Sequence, residues 1–251
     1  MHTLGIIPAR YGSTRLQGKP LIGLCGKPMI QRVYEQAKKA LEHVVVATDD
    51  SRVEKAVLEF GGNVVMTSTK HNTGTNRCLE AYEMYKAKAN ENFDIVINIQ
   101  GDEPLLDPKQ LRLIISCFTS ADTQMATLVI PLKKQDGLNN GVFVVMDKNH
   151  NALYFSRSII PFVRDVEKSD WIKKHTFYKH IGLYGFTPNA LKTFANMQQT
   201  SLEIAESLEQ NRWLENGNKI KVAITKIDTV GVDTMEDVER VKQMIKNKHK
   251  F

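Results

Sequence analysis

The chain is poor in cysteine and lacks any long apolar run or linker-like stretch. Its three cysteines, Cys25, Cys78 and Cys117, are odd in number and scattered, with no CxxC pair and no Cys/His cluster. That spacing excludes a disulfide framework and a zinc site, and fits idle thiols in a reducing compartment. No apolar run approaches the ~20 residues needed to cross a bilayer. The N-terminal apolar stretch from Thr3 to Pro8 meets Arg10 almost at once, too short and too soon interrupted for a signal peptide. A cytoplasmic location is the resulting expectation. Neither GxxxxGK[ST] nor GxGxxG occurs, so the two commonest phosphate-loop fingerprints are missing.

What is present is ordinary for a globular protein. Hydrophobic residues make up 42% of the 251 and charged residues 25%. A chain of this size buries roughly 70–75% of its unfolded surface, so its core needs no structural metal. The net charge of +6 falls partly in the tail, at Lys242, Lys246, Lys248 and Lys250, which reads as a solvated helix end. The cations beside glycines, Arg10, Arg15 and Lys19, suit a small polyanion better than nucleic acid.

The hydrophobic pattern alternates strand and helix. Strands are expected at 3–8, 44–48, 63–66 and 94–100, and helices at 28–40, 52–60 and 76–88. Ser51 is placed as a cap for the second helix, with Glu54 as its capping-box partner. Such alternation means a mainly parallel sheet with right-handed crossovers and helices on both faces. The second half is less regular. Strands are expected at 125–130, 142–146, 152–155, 180–186 and 220–225, with 142–155 a hairpin turning at 148–150. Helices are expected at 188–197 and 202–215, with Gly217 just past the end of the second, and from Met235, capped by Thr234.

Four constellations carry chemistry. The loop PARYGSTRLQGKP (8–20) follows the first strand directly. Ligands bind beyond the carboxyl ends of strands in open parallel sheets, and a loop of glycines, hydroxyls and three cations can wrap a triphosphate. The alternative is a solvated basic loop, which the residues alone favour somewhat less than phosphate binding. Asp102, in NIQGDEP (98–104), ends another buried strand and is the natural Mg²⁺ ligand, although aspartate is common in turns regardless of function. Asp233 in GVDT (231–234) either completes that metal site or serves as a helix-entry acid. The last group is Ser156-Arg157, His180 with Tyr184, and Glu209-Gln210. The even spacing of His180 and Tyr184 in a strand puts both on one face.

With PARYGSTRLQGKP, NIQGDEP, ALYFSRSIIP, YKHIGLYGF, SLEQNRWLENG and VDT in order, the whole chain resembles the 3-deoxy-manno-octulosonate (Kdo) cytidylyltransferases, or CMP-Kdo synthetases. The resemblance implies a glycosyltransferase-A-like, Rossmann-like α/β fold. It implies a single nucleotidyltransferase domain over 1–251, with a small antiparallel insertion and dimerisation subdomain around 140–185, and a homodimer. The implied reaction transfers CMP from CTP to Kdo and releases pyrophosphate, with Mg²⁺, for lipopolysaccharide biosynthesis. No nucleic-acid or membrane partner is implied. By the same resemblance Arg10, Lys19, Asp102 and Asp233 are catalytic, and Asp102 and Asp233 hold the metal. Ala9, Arg10, Ser13, Arg15, Lys19, Arg77 and Gln100 hold the nucleotide. Arg157, His180, Tyr184, Glu209 and Gln210 line the sugar pocket, with Arg157 on the sugar carboxylate. The chain departs from the family pattern at Gln17, at Asn76, where an acid is usual, and at Phe143, where a lysine is usual. The last two motivate two alternatives: the same chemistry on an amino-Kdo or nonulosonate, or a CTP-binding paralogue of weak activity.

Overall fold

The computed structural model describes residues 1–12, 16–71, 73–120, 122–139 and 141–248. Two compact units emerge, Met1–Arg112 with Thr229–Phe251, and Leu113–Asp228. No helix among the described residues is long and apolar enough to cross a membrane.

The first unit is a parallel α/β layer. In chain order it has β1 (Thr3–Pro8), the short pair β2 (Gly23–Leu24) and β3 (Lys27–Pro28), α1 (Met29–Lys38), β4 (His43–Thr48), α2 (Ser51–Glu59), β5 (Val64–Met66), α3 (Gly74–Ala89), β6 (Ile95–Asn98) and α4 (Pro108–Ser116), within which the unit boundary falls. β1 pairs in parallel with β4 on one side and β6 on the other, and β4 pairs in parallel with β5. The β-branched run of β4 is buried on both faces, as a central parallel strand requires. The helix over 52–60 is found one residue earlier, and its cap is not Ser51. Asp50 is the N-cap, its carboxylate accepting from the Arg52 amide at 2.9 Å, and Ser51 is the first helical residue. α4 was given no place by the sequence pattern.

The second unit is mostly antiparallel: β7 (Met125–Pro131), β8 (Phe143–Met146), β9 (Ala152–Ser156), α5 (Trp171–Lys174), β10 (Tyr178–Phe186), α6 (Pro188–Asn196), α7 (Ser201–Glu206), α8 (Gln210–Glu215) and β11 (Lys221–Ile224). β10 runs antiparallel to β7 and β8, β8 antiparallel to β9, and β11 parallel to β7. The single helix expected over 202–215 is two helices. Ser207 adopts φ 50, a left-handed conformation that ends α7.

The chain re-enters the first unit and closes with α9 (Met235–Lys248). Val238, Val241 and Ile245 recur at helical spacing and pack with Leu24, Met29 and Val232 in one apolar cluster. Full burial of each such side chain contributes about 1.5–3 kcal/mol. That cluster fixes the start of α9, and with it Asp233.

Candidate active site

In the first unit the loop after β1 meets the loop after β6. Gly101 makes this approach feasible: a β-carbon there would lie 2.7 Å from the Pro8 carbonyl oxygen, closer than packed atoms allow. The Val232 amide donates to the Asp102 carbonyl at 3.0 Å and joins the segment before α9 to the same rim. Gly18, at φ 68, turns the first loop, and its amide donates to the Tyr11 carbonyl at 3.0 Å. The Tyr11 ring carries the Arg52 guanidinium 3.4 Å from its centroid.

These contacts bring three distant residues together. Lys19 Nζ donates to Asp102 Oδ2 at 2.5 Å and to Asp233 Oδ1 at 3.0 Å. An ammonium thus bridges two carboxylates supplied by separate segments. Ser13 and Arg15, expected on the same loop, lie outside the described residues, as does Thr14. Ala9 is buried, its amide donating to the Ala47 carbonyl at 2.8 Å. Gln100 is half-buried on the loop that leads to Asp102.

Beside this rim is a cleft of about 140 Å³ lined by Pro8, Arg10, His71, Thr73, Gly74 and Arg77. Arg77 is held below it, its guanidinium donating to Asp49 Oδ2 at 2.6 Å and to Thr67 Oγ1 at 2.5 Å. Thr73 caps α3, its hydroxyl accepting from the Asn76 amide at 3.2 Å and donating to Asn76 Oδ1 at 2.7 Å. Asn76 therefore serves the helix start where the family more often has an acid. His71 was not singled out by the sequence. It pairs through Nε2 with Glu80, which also accepts from the Ser68 amide at 2.8 Å. Burial tends to raise the Glu80 pKa, but these two hydrogen bonds together with the charges of His71 and Arg77 outweigh it and hold the carboxyl below its ordinary value.

The second unit gathers the remaining residues. Arg157 extends from the end of β9, its Nε donating to the Glu206 carbonyl at 2.6 Å and its Nη2 to the Ser207 carbonyl at 3.2 Å. The Glu206 carboxylate accepts from Ser156 Oγ at 2.6 Å and from the Arg157 amide at 2.8 Å. Sequence reasoning missed Glu206, because its partners lie some fifty positions upstream. The break at Ser207 is what turns these carbonyls toward Arg157. A guanidinium has five N–H donors, so Arg157 keeps further donors for an anion.

Arg157 lines a second cleft with Leu138, Asn139, Gly141, Val142 and Phe143. Phe143 is 1% exposed and packs with Leu138, Trp171 and Phe177, which makes it a core residue of this unit. The Val142 carbonyl accepts from the His180 amide at 2.7 Å, placing His180 next to that wall. His180 and Tyr184 do meet, their ring centroids 5.2 Å apart. Four residues of straight strand span about 13 Å. The separation contracts because Gly182 and Leu183 are interposed between the register pairs Ile181–Leu128 and Tyr184–Thr127. Two inserted residues preserve the alternation, so the shared face survives. Burial pushes His180 down to about 3 and raises Tyr184, with the Glu209 charge adding to the latter, so both rings are neutral at pH 7. Glu209 Oε1 lies 3.8 Å from Arg212. Gln210 is 5% exposed, and its Nε2 has no hydrogen-bond partner among the described residues.

The profile of the cytidylyltransferase family matches residues 4–220. A 3-deoxy-manno-octulosonate cytidylyltransferase of Parabacteroides distasonis is 53% identical over 254 residues, covering 99% of this chain and 100% of that protein. One of Bacteroides thetaiotaomicron is 53% identical over 253 residues, with 99% and 100% coverage. The solved structure of CMP:2-keto-3-deoxy-manno-octonic acid synthetase complexed with CTP superposes at a TM-score of 0.89 and 37% identity, over 99% of this chain and 100% of that one. A cytidylyltransferase of Leptospira borgpetersenii, at 21% identity and a TM-score of 0.63 over 98% and 87%, shares the fold. The chain belongs to the 3-deoxy-manno-octulosonate cytidylyltransferase family.

Proposed function

We propose that the protein transfers CMP from CTP to 3-deoxy-manno-octulosonate, as the names of its relatives say of them, in the cytoplasm and for lipopolysaccharide biosynthesis. The observation that carries this reading is the meeting of Lys19 with Asp102 and Asp233 at the end of the sheet. The anomeric hydroxyl of the sugar attacks the α-phosphorus of CTP. An O–P bond forms as the hydroxyl proton is lost to solvent, the bond from the α-phosphorus to the oxygen bridging to the β-phosphorus breaks, and pyrophosphate leaves carrying the electron pair.

Transfers of this kind depend chiefly on positioning and on charge stabilisation. In this reading Arg10 and Lys19, with Ser13 and Arg15, hold the phosphates. Ala9, Gln100 and Arg77 serve the nucleoside, and the cleft that Arg10 and Arg77 line accepts part of it. Arg157 takes the sugar carboxylate, while His180, Tyr184, Glu209 and Gln210 take its hydroxyls. The partner is CTP with an acid sugar, and the chain acts as a homodimer.

The carboxylates fit magnesium. Asp102 and Asp233 already converge on one cation, the Lys19 ammonium, and no cluster of three or more His, Cys, Asp or Glu suited to a metal occurs among the described residues. Mg²⁺ asks for no more than one or two carboxylates beside phosphate and water. When bound, it supplies positive charge at the phosphates and lowers the pKa of a coordinated hydroxyl. With Asp102 and Asp233 holding the metal, the Lys19 ammonium would be available to the phosphates.

Pyrophosphate release tests the reading, using CTP, Mg²⁺ and a panel of Kdo, amino-Kdo and nonulosonates. Release with Kdo is expected. Release with a nonulosonate alone would move the substrate, and CTP-induced thermal stabilisation without release would make the chain a CTP binder.

A further inference from the structure

The interior of the second unit holds a hydroxyl that the reading above leaves without a task. Thr127, in β7, is fully buried. Its Oγ1 lies 2.9 Å from His180 Nε2, 2.9 Å from the Leu183 carbonyl oxygen and 3.3 Å from that of Ile181. A hydroxyl has one proton to donate and two lone pairs to accept with. Carbonyl oxygens only accept; were the Thr127 proton spent on Nε2, two carbonyl oxygens would crowd the hydroxyl oxygen with no proton between them, so the proton goes to Leu183 or Ile181. Toward His180 the same oxygen then accepts, and Nε2 must carry the hydrogen. A neutral imidazole has a single N–H. Nδ1 is left as an acceptor.

The bulge creates this arrangement. In a regular antiparallel ladder a threonine would face one residue across the strand. Here Gly182 and Leu183 are interposed between Ile181, the partner of Leu128, and Tyr184, the partner of Thr127, and the Ile181 and Leu183 carbonyls both reach one hydroxyl. The Phe155 ring stands edge-on to the imidazole with centroids 5.2 Å apart, so neighbouring apolar mass further restricts the ring.

We propose that Thr127 is a positioning residue for the acid sugar, holding His180 as the Nε2–H tautomer so that Nδ1 accepts a hydrogen bond from a sugar hydroxyl. This rests on the reading that His180 faces the sugar. It divides the recognition between two groups: Arg157 donates to the carboxylate and His180 accepts from a hydroxyl. The opposite tautomer would offer a second donor and lose the hydroxyl.

The test is the ¹⁵N spectrum of the protein labelled at histidine, recorded at pH 7, with H180Q assigning the signal. The Nε2–H form is expected. T127V removes the acceptor while keeping the side chain's shape. It is expected to shift the imidazole toward the other tautomer and to raise the sugar KM about five- to tenfold with the CTP KM unchanged, as the loss of one hydrogen bond would. T127S should restore both. A wild-type Nδ1–H signal overturns the proposal, and so does a folded T127V that moves neither tautomer nor sugar KM. If T127V fails to fold, the wild-type spectrum decides alone. Absence of turnover with every acid sugar overturns the functional reading instead, and the spectrum still reports separately on the Thr127–His180 pair.

Discussion

Gly101 and Pro8 lie so close that any β-carbon on Gly101 would fall 2.7 Å from the Pro8 carbonyl oxygen. The neighbour is backbone at the end of a buried strand, so it has little room to yield. Gly101→Ala is expected to cost about 1–3 kcal/mol in urea denaturation, the range for overpacking, and to lower turnover by displacing Asp102. Gly23, with nothing within 4 Å of its own hypothetical β-carbon, is the control: Gly23→Ala should change neither quantity appreciably.

Lys19 holds its two acids from segments far apart in sequence, and each acid is partly open to solvent. Exposed ion pairs add little to stability. Asp102→Asn and Asp233→Asn are therefore expected to lower turnover at least about a hundredfold, the scale for lost transition-state electrostatics, while the thermal midpoint moves little. Near-wild-type rates in either variant would remove that residue from the phosphate site. Calorimetric titration with magnesium and a non-hydrolysable CTP analogue should show weaker binding in both.

The loops of the first unit were legible because parallel strands announce themselves. β1 is found at the expected bounds and β4 within one residue of them, and their carboxyl ends position the ligand loops whatever the rest does. The second unit was less legible. His180 and Tyr184 were placed on one face by parity alone, but their contact depends on a two-residue bulge that no local pattern announces. Phe143 reads from the family pattern as a lost cation, whereas its partners Trp171 and Phe177 are about thirty positions downstream. Asn76 likewise found a local task, at the start of α3. Local signals carry elements; they do not carry partners fifty residues away.

Acid should destabilise the protein through two groups of the second unit. Burial alone would raise Glu203, but the Arg212 hydrogen bonds at 2.7 and 2.5 Å, the Arg212 charge and the hydrogen bonds from Thr200 and Gln199 together outweigh that and hold the carboxyl below 4.5. A lowered folded value means stability present above the ordinary glutamate range and lost as pH falls below it. His180 is also lowered, from 6.5 to about 3, so the unfolded chain takes up its proton first. Its contribution is whole above about pH 6.5 and declines from there toward pH 3. The expected slope is at most about 1.4 kcal/mol per pH unit. Urea midpoints for the wild type and H180Q between pH 7 and 4 measure it; parallel curves would contradict the assignment.

Arg212→Ala breaks the Glu203 pair, whose side chains are 4% and 6% exposed. It leaves a carboxylate buried without its cation, at a cost of about 3–5 kcal/mol. Replacing both residues together, with Met at each, should recover most of that loss, because the cost lies in the stranded charge. Equal destabilisation of the single and double variants would show that the pair itself, rather than its disruption, supplies the stability.

Ser207 connects the local chain to the sugar chemistry. Its φ of 50 ends α7 and presents its own carbonyl and that of Glu206 to Arg157. Glycine adopts this conformation without the side-chain penalty, and a β-branched residue adopts it worst. Ser207→Gly should therefore fold and turn over like the wild type. Ser207→Val should favour continuing the helix toward Leu208, withdrawing both carbonyls from Arg157. The expected result is a sugar KM raised about tenfold, the loss of about one charge-assisted hydrogen bond, with the CTP KM unchanged. Arg157→Ala should give the same pattern at larger amplitude. Steady-state kinetics with each substrate varied in turn separates the cases. A rise in the CTP KM instead would place Arg157 with the nucleotide, and would make the break at Ser207 a support for phosphate binding rather than for the sugar carboxylate.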